Sequence, residues 1–184
     1  MANAVDELLN QAAQARRVNR LSDAMRDLVE AVGLCRKSGD QLRLARSLTA
    51  LGQIERDKGN GAAALQHYEE AVGIYCAEGD SLKLAHAMRH VGDIHQDAGR
   101  LKQAEPCYNE ALAIYRAHKE TPPLDLANAI RGMALLKEAT GKRQEALALW
   151  EEAGKLYASV NVEAGVAESM RRVGLLKQEP TTKP

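Results

Sequence analysis

Three arginines occupy the same position in a pattern that recurs along the chain: Arg89, Arg131 and Arg171. A guanidinium group is planar, always charged and able to make two parallel hydrogen bonds to one carboxylate. Three of them in register would bind an acidic peptide or the acidic surface of a partner protein. The alternative interpretation is that these arginines are solvated or are paired with the nearby Asp93 and Glu138. At the level of sequence both interpretations stay open.

Two histidines are spaced for metal binding. His86 and His90 are four residues apart, which places both side chains on one face of a helix. The intervening residues lack the glutamate of a zinc-protease helix, and no third ligand is apparent. We therefore interpret both as exposed histidines and predict neither a metal site nor a cofactor. Because the sequence also contains neither a nucleophile elbow nor a phosphate-binding loop, we predict no catalytic activity.

The elements that position these residues are repeated. All six aromatic residues fall into two columns, one made of Tyr68, Tyr108 and Trp150 and the other of Tyr75, Tyr115 and Tyr157. Within each column the residue number rises by 40 and then by 42. Self-similarity at this period is typical of a solenoid of stacked helix pairs, whose binding surfaces are formed by the aligned repeats.

Each repeat contains two helices, which we name A and B. In helix B, alanines alternate with bulky residues at helical spacing, as in Ala64, Tyr68, Ala71 and Tyr75, so that they share one face. Asparagine or glycine follows helix A, and a Gly-Asp pair that follows helix B ends one helix and caps the next. The pattern predicts nine helices, at residues 4–17, 21–37, 42–58, 61–77, 82–98, 102–118, 124–140, 143–159 and 163–177.

Helix A carries a small residue at one recurring place. The residues at this place are Ala12, Gly52, Gly92, Ala134 and Gly174. A glycine inside a helix costs up to about 1 kcal/mol relative to alanine. Its recurrence therefore predicts a close helix crossing at this position.

The composition excludes several classes of function. Twenty-five basic and twenty-five acidic residues give a formal net charge of zero, which argues against binding to nucleic acid or to an anionic membrane. No apolar run approaches the roughly 20 residues that span a bilayer, and the N-terminus lacks the pattern of a secretion signal. The three cysteines have no metal-ligand spacing and are interpreted as buried or half-buried thiols of a reducing compartment. We therefore predict a cytoplasmic protein.

The repeated residues resemble the tetratricopeptide repeat (TPR) family. In that motif a small residue of helix A is followed by an alanine, a bulky residue and a second alanine of helix B. Four sets match in this order: Ala12, Ala24, Leu28 and Ala31; Gly52, Ala64, Tyr68 and Ala71; Gly92, Ala104, Tyr108 and Ala111; Ala134, Ala146, Trp150 and Ala153. The period of about 40 is similar to that of the longer-repeat TPR arrays of kinesin light chains and bacterial regulators. The aromatic residue usual late in helix A is replaced by Glu55, His95 and Lys137, and the proline that commonly closes helix B is absent.

The resemblance implies an all-α, right-handed superhelical solenoid of helical hairpins with a closing C-terminal helix. It further implies a non-catalytic scaffold whose concave groove, lined by the A helices, binds a peptide or a partner helix. We expect one array over residues 4–177, with units of about 4–40, 41–80, 81–121 and 122–162, a closing helix at 163–177 and a flexible tail at 178–184. The residues between the packing positions of helix A are expected to line the groove: Arg46, Thr49, Gln53, Arg56, His86, Arg89, His90, Asp93, Gln96, Asn128, Arg131, Leu135, Glu138, Arg171 and Arg172.

The two ends of the array differ. A solenoid needs terminal helices with a polar outer face, and the first helix has Gln11 and Gln14 where later repeats are apolar. The last helix keeps an internal apolar stripe, made of Val166, Met170, Val173 and Leu176. Either this helix simply closes the array, or its stripe contacts another chain, so that self-association into a homodimer is an alternative function. A further alternative is a regulatory subunit whose groove holds a signalling peptide or a small ligand.

Overall fold

The computed structural model describes residues 2–178, which form nine α-helices joined by short turns. In chain order they are α1 Ala2–Arg17, α2 Leu21–Ser38, α3 Gln41–Asp57, α4 Gly61–Glu78, α5 Ser81–Asp97, α6 Leu101–Ala117, α7 Pro123–Ala139, α8 Arg143–Ser159 and α9 Glu163–Lys177. Every predicted helix is confirmed, and no strand occurs within these residues. The predicted all-α class of paired helices with a ninth, closing helix is therefore confirmed for them. Of the predicted tail, residues 179–184 lie outside the described residues.

Local signals set the ends of the helices as the sequence predicts. At the start of α3 the Asp40 carboxylate accepts a hydrogen bond from the backbone N–H of Arg43 at 3.0 Å, which satisfies a donor that the first turn leaves unpaired. Asp80 does the same for Lys83 at the start of α5. Between α1 and α2, Asn19 has a φ of 59°. This left-handed conformation ends the A helix and is one that asparagine and glycine tolerate.

The chain divides into two compact units, residues 1–94 and 95–184. In the first, α1 to α4 each pack on the next helix along the chain, and α5 as far as Ile94 belongs to the same unit. In the second, α6 to α9 pack in the same consecutive manner. All six residues of the two aromatic columns are at most 2% exposed, and the alanines between them are fully buried. The prediction of a single array over both units stays a prediction.

Close helix crossings occur where a glycine faces an aromatic ring. A Cβ atom at Gly52 would lie 2.8 Å from Tyr68 Cε2, and one at Gly132 would lie 2.5 Å from Tyr108 Cε1. The crossing predicted at Gly52 is therefore confirmed. The crossing predicted at Gly174 is wrong, because no atom of the described residues outside its own helix lies within 4 Å of a Cβ built there.

Replacing these glycines by alanine should change stability in opposite directions. We expect Gly174→Ala to raise the free energy of unfolding by about 0.5–1 kcal/mol, since alanine is the better helix former and meets open space. Gly132→Ala should lower it by about 1–3 kcal/mol, because the new methyl group overlaps the buried ring of Tyr108. Chemical denaturation of both variants measures the two effects, and a stabilised Gly132→Ala variant would contradict the crossing.

The cysteines are only partly as predicted. Cys35 and Cys107 are buried, and burial raises the pKa of the Cys35 thiol. Cys76 is exposed, so its predicted burial is wrong. It follows Tyr75 on α4 and therefore lies outside the buried stripe of that helix. None of the helices within residues 2–178 is long and apolar enough to cross a membrane.

The first and last helices expose different surfaces. Gln11 and Gln14 of α1 are exposed, as predicted for a capping helix. In α9, Met170 is 70% exposed, whereas Ile130 at the same repeat position of α7 is fully buried. The apolar stripe of α9 thus includes a large side chain that no described residue covers.

Candidate functional site

The candidate site is considered unit by unit: the A helices are α1, α3 and α5 in the first unit and α7 and α9 in the second, and we call the face that they present in each unit the A-helix face of that unit. Of the predicted groove residues, Arg46 and Arg171 are exposed, whereas Arg89 and His90 are buried. The others are half-buried: Thr49, Gln53, Arg56, His86, Asp93, Gln96, Asn128, Arg131, Leu135, Glu138 and Arg172.

In the first unit, four of these residues form one cluster. Asp93 Oδ2 accepts hydrogen bonds from Arg56 Nη1 at 3.2 Å and from Arg89 Nη1 at 3.0 Å. The ring of His90 stacks on the buried ring of Tyr68, with centroids 4.8 Å apart and planes 18° apart. The interpretation that Arg89 is paired with Asp93 is therefore confirmed. The predicted exposure of His90 is wrong, because its ring covers Tyr68.

The contacts of His90 require a neutral ring. Its Nδ1 lies 2.8 Å from Arg56 Nη1 and its Nε2 lies 2.8 Å from Arg89 Nη2. A guanidinium only donates hydrogen bonds, and a protonated imidazole offers no acceptor, whereas the neutral ring offers one. Burial, together with the adjacent charge of Arg89 and in spite of Asp93, lowers the pKa of His90 to about 3.

This depressed pKa predicts a loss of stability in mild acid. Between pH 6.5 and pH 3 the unfolded chain protonates His90 but the folded chain does not, so the free energy of unfolding falls as pH falls. From pH 6.5 to pH 5 the loss from this residue is about 1.6 kcal/mol. Because glutamine does not titrate in this range, the free energy of unfolding of the His90→Gln variant should fall by that much less than the free energy of the parent protein. Denaturation at the two pH values measures it, and equal losses in both proteins would contradict a buried neutral His90.

The histidine pair does not form a metal site. His86 meets His90 edge to face, with ring centroids 4.8 Å apart, and both nitrogens of His90 face guanidinium groups. Within residues 2–178, no group of three or more His, Cys, Asp and Glu side chains is placed to hold a metal ion.

A second set of contacts in the first unit joins α1 to α3. The Asp57 carboxylate accepts from Arg16 Nε at 2.5 Å, from Arg16 Nη2 at 3.3 Å and from Gln53 Nε2 at 3.0 Å. Burial raises the pKa of Asp57, but the hydrogen bonds from Arg16 and Gln53 outweigh it and lower the pKa overall. At the other end of these helices, Arg46 lies 3.4 Å from Asp6. Arg46, Gln53 and Asp57 therefore lie on one A-helix face together with Arg16.

The second unit holds its polar side chains in a similar way. Arg131 makes two hydrogen bonds to Glu168, at 2.6 and 3.0 Å, and this bonding is the main cause that lowers the pKa of Glu168. Glu138 accepts hydrogen bonds from Trp150 Nε1 and, at 3.1 Å, from Arg172 Nη1. These contacts fix the side chains of α7 against those of α8 and α9.

The three arginines of the predicted ladder have different surroundings. Arg89 is buried and paired, Arg131 is bound by Glu168, and Arg171 is exposed. The sequence argument missed Glu168 and the pairing of Glu138 with Arg172. A signal was nonetheless present, because paired residues on successive A helices are separated by 37 or 34 positions. These separations are shorter than the repeat period of about 40 residues by roughly one or two turns of helix, at about 3.6 residues a turn.

One repeat position decides what covers the first aromatic column. At this position His90 stacks on Tyr68, and the Arg172 guanidinium lies over the ring of Trp150 at 5.8 Å from its centroid. The equivalent Gly132 lets Tyr108 approach the backbone. The chemistry of the A-helix face therefore changes from one repeat to the next while the core beneath it stays constant.

Comparison with known proteins supports this architecture. A tetratricopeptide repeat family model matches residues 54–117. The fold is similar to nearly identical TPR-like repeats of a protein assigned as a kinesin light chain in Podosopora anserina, at 15% identity, 97% coverage of both chains and a TM-score of 0.69. It is also similar to a signal transduction ATPase with a TPR sensor from Pyrococcus horikoshii, at 19% identity, a TM-score of 0.80, and coverage of 94% of this chain but 26% of that one. BtubC (BKLC) from P. vanneervenii is similar at 16% identity, with a TM-score of 0.57 and coverage of 100% of this chain and 95% of that one. No curated protein sequence matches significantly.

The helix pairs, the aromatic core and the polar A-helix face define an all-α helical-repeat protein. Because the family model matches the middle of the chain and the similar structures are TPR arrays, the resemblance to the tetratricopeptide repeat family is confirmed.

Proposed function

We propose that this chain is a non-catalytic protein-interaction module that binds a peptide or a partner helix on its A-helix face. The TPR fold supports this role, since aligned helical repeats form extended binding surfaces. The observation that carries the proposal is the half-buried state of polar side chains next to buried packing residues, such as Gln53 beside Ile54 in α3 and Asn128 beside Ala127 in α7. Such side chains are ordered by their neighbours yet accessible to a ligand.

The bound segment is proposed to be acidic. Among the predicted groove residues, the most accessible arginines are Arg46, Arg131 and Arg171, with 51% of the Arg46 side chain and 41% of the Arg131 side chain exposed. A ligand carboxylate can approach Arg171 directly, and at Arg131 it would compete with Glu168. Because the Arg131–Glu168 pair is bidentate and partly buried, a single carboxylate competes poorly for Arg131, and a ligand with several carboxylates that also contacts Arg171 is favoured.

Capture of partners by the immobilised protein, followed by calorimetry with the purified partner, tests this function. We expect Arg131→Gln and Arg171→Gln each to weaken binding by about three-fold to ten-fold, and added salt to weaken it further. Arg116→Gln is the matched control, because Arg116 lies on the B helix α6 and is likewise bound to a carboxylate, that of Glu152. Equal affinities for all these variants would contradict the proposal that the ligand is acidic. Failure to capture any specific partner would contradict the proposed protein-interaction function.

Self-association through α9 is the second candidate function. It is favoured by the exposure of Met170, whose equivalent in α7 is buried. If a second copy covers this stripe, sedimentation should show a dimer that Met170→Lys dissociates. Val29→Lys is the control, since Val29 is a 56% exposed apolar residue on α2. A concentration-independent monomer would exclude this candidate.

A further inference from the structure

The first unit contains a cleft between α1 and α3 with a volume of about 440 Å³. Its floor is formed by Leu28 and Ile54, which are 1% exposed, and its walls include Leu9, Ala13 and Ala50. Leu9 and Ala50 are partly buried against the core beneath, and Ala13 is exposed. This is a largely apolar depression on the A-helix face, within the size range of ligand sites.

Repeat position explains why the cleft is open here. Ala50 occupies in α3 the position that His90 occupies in α5, and Leu28 occupies in α2 the position of Tyr68 in α4. At the later position the imidazole of His90 stacks on the ring of Tyr68 and fills the space. At the earlier one, alanine over leucine leaves that space unfilled. Packing of the core explains why Leu28 and Ile54 are buried. It does not explain why the side chains of the walls above them, such as Ala13 and Ala50, are small.

The rim of the cleft is charged. Arg16 is bound to Asp57, whose carboxylate also accepts from Gln53. Arg17 lines the same cleft, is exposed, and makes no ion pair with any described residue. Two guanidinium groups and one carboxylate leave the rim with a net positive charge. An occupant that matches the cleft therefore has an apolar side chain for the floor and a carboxylate for Arg17.

We propose that this cleft is an anchor site for a partner peptide, and that it takes an aliphatic side chain such as leucine or methionine that has an acidic residue next to it. The inference rests on the proposed function and adds to it the place and the chemistry of the main apolar contact. An apolar anchor in a small pocket with a polar rim is the usual form of an energetic hot spot in protein recognition.

Selection from a phage-displayed library of random short peptides tests the anchor site, with the intact protein as bait. We expect selected peptides to share an aliphatic residue and an adjacent acidic residue. Their synthetic forms should lose about ten-fold in affinity when the aliphatic residue is changed to alanine. Ala13→Leu and Ala50→Leu, which fill the cleft from its two walls, should cause a similar loss, and Arg17→Gln a smaller one of about three-fold.

The outcomes separate the anchor site from the proposed function. Ala13 is exposed, so Ala13→Leu should keep the helicity and melting temperature of the parent protein and remain informative if Ala50→Leu does not. Peptides that bind the folded Ala13→Leu variant unchanged but bind Arg131→Gln more weakly would overturn the anchor site and leave the proposed function standing. Failure to select any specific peptide would count against both.

Discussion

Trp150→Ala should cost about 3–5 kcal/mol of the free energy of unfolding, the range measured for truncation of large buried side chains. Trp150 is fully buried in α8 and is the largest of the completely buried side chains. Its indole N–H donates to Glu138, and the guanidinium of Arg172 lies over its ring. Truncation therefore leaves a cavity and also removes the surface that orders two side chains of the A-helix face.

Denaturant unfolding followed by circular dichroism measures this effect, since the variant has no tryptophan for fluorescence. Leu175→Ala is the matched control, because Leu175 is a 56% exposed apolar residue of the same unit and should change stability by no more than about 0.5 kcal/mol. Trp150→Phe should cost less than Trp150→Ala, since it retains most of the volume and loses the indole donor. A loss below about 1 kcal/mol for Trp150→Ala would contradict its place in the core.

The helices and the buried core of this protein could be predicted from short-range patterns in the sequence. The aromatic columns, the alanine spacing and the Gly-Asp boundaries are short-range signals that each helix carries by itself. They predicted the nine helices found within residues 2–178 and the burial of Trp150 and Tyr68. The close crossing predicted at Gly174 failed because it depended on a neighbouring helix that does not follow α9 in the described residues.

The ion pairs of the candidate site could not be assigned in the same way. Arg89 and Arg131 share a repeat position, so the pattern predicted the same role for both. Their roles differ because the next A helix offers Glu168 to Arg131, whereas Arg89 bonds to Asp93 and His90 of its own helix. Repetition conserves the backbone frame, but the partner of each charged group depends on which residues its own helix and the next A helix happen to offer. Sequence reasoning therefore placed these residues on the A helices, as the structure has them, but misjudged which of the arginines are accessible.

Asp93 is the carboxylate partner of two arginines, and its replacement should cause the second large loss of stability that we expect. Asp93→Asn should lower the free energy of unfolding by about 3–5 kcal/mol, because it leaves Arg56 and Arg89 mostly buried without their shared carboxylate. Only 23% of the Arg56 side chain, 10% of Arg89 and 18% of Asp93 are exposed. Burial raises the pKa of Asp93, but His90, whose Nδ1 lies 3.6 Å from Asp93 Oδ2, and the charges of Arg89 and Arg56 outweigh it, so the pKa is lowered overall.

The matched control is Asp57→Asn, which removes a carboxylate from a more exposed pair with Arg16 and should cost about 0–1 kcal/mol. A double-mutant cycle with Arg89→Leu isolates the coupling, since the second change removes one of the two stranded charges. We expect the double variant to be more stable than Asp93→Asn alone. If instead the two losses add, the arginines are not held by Asp93, and the A-helix face of the first unit would have a guanidinium free to bind a ligand where we place a closed ion pair.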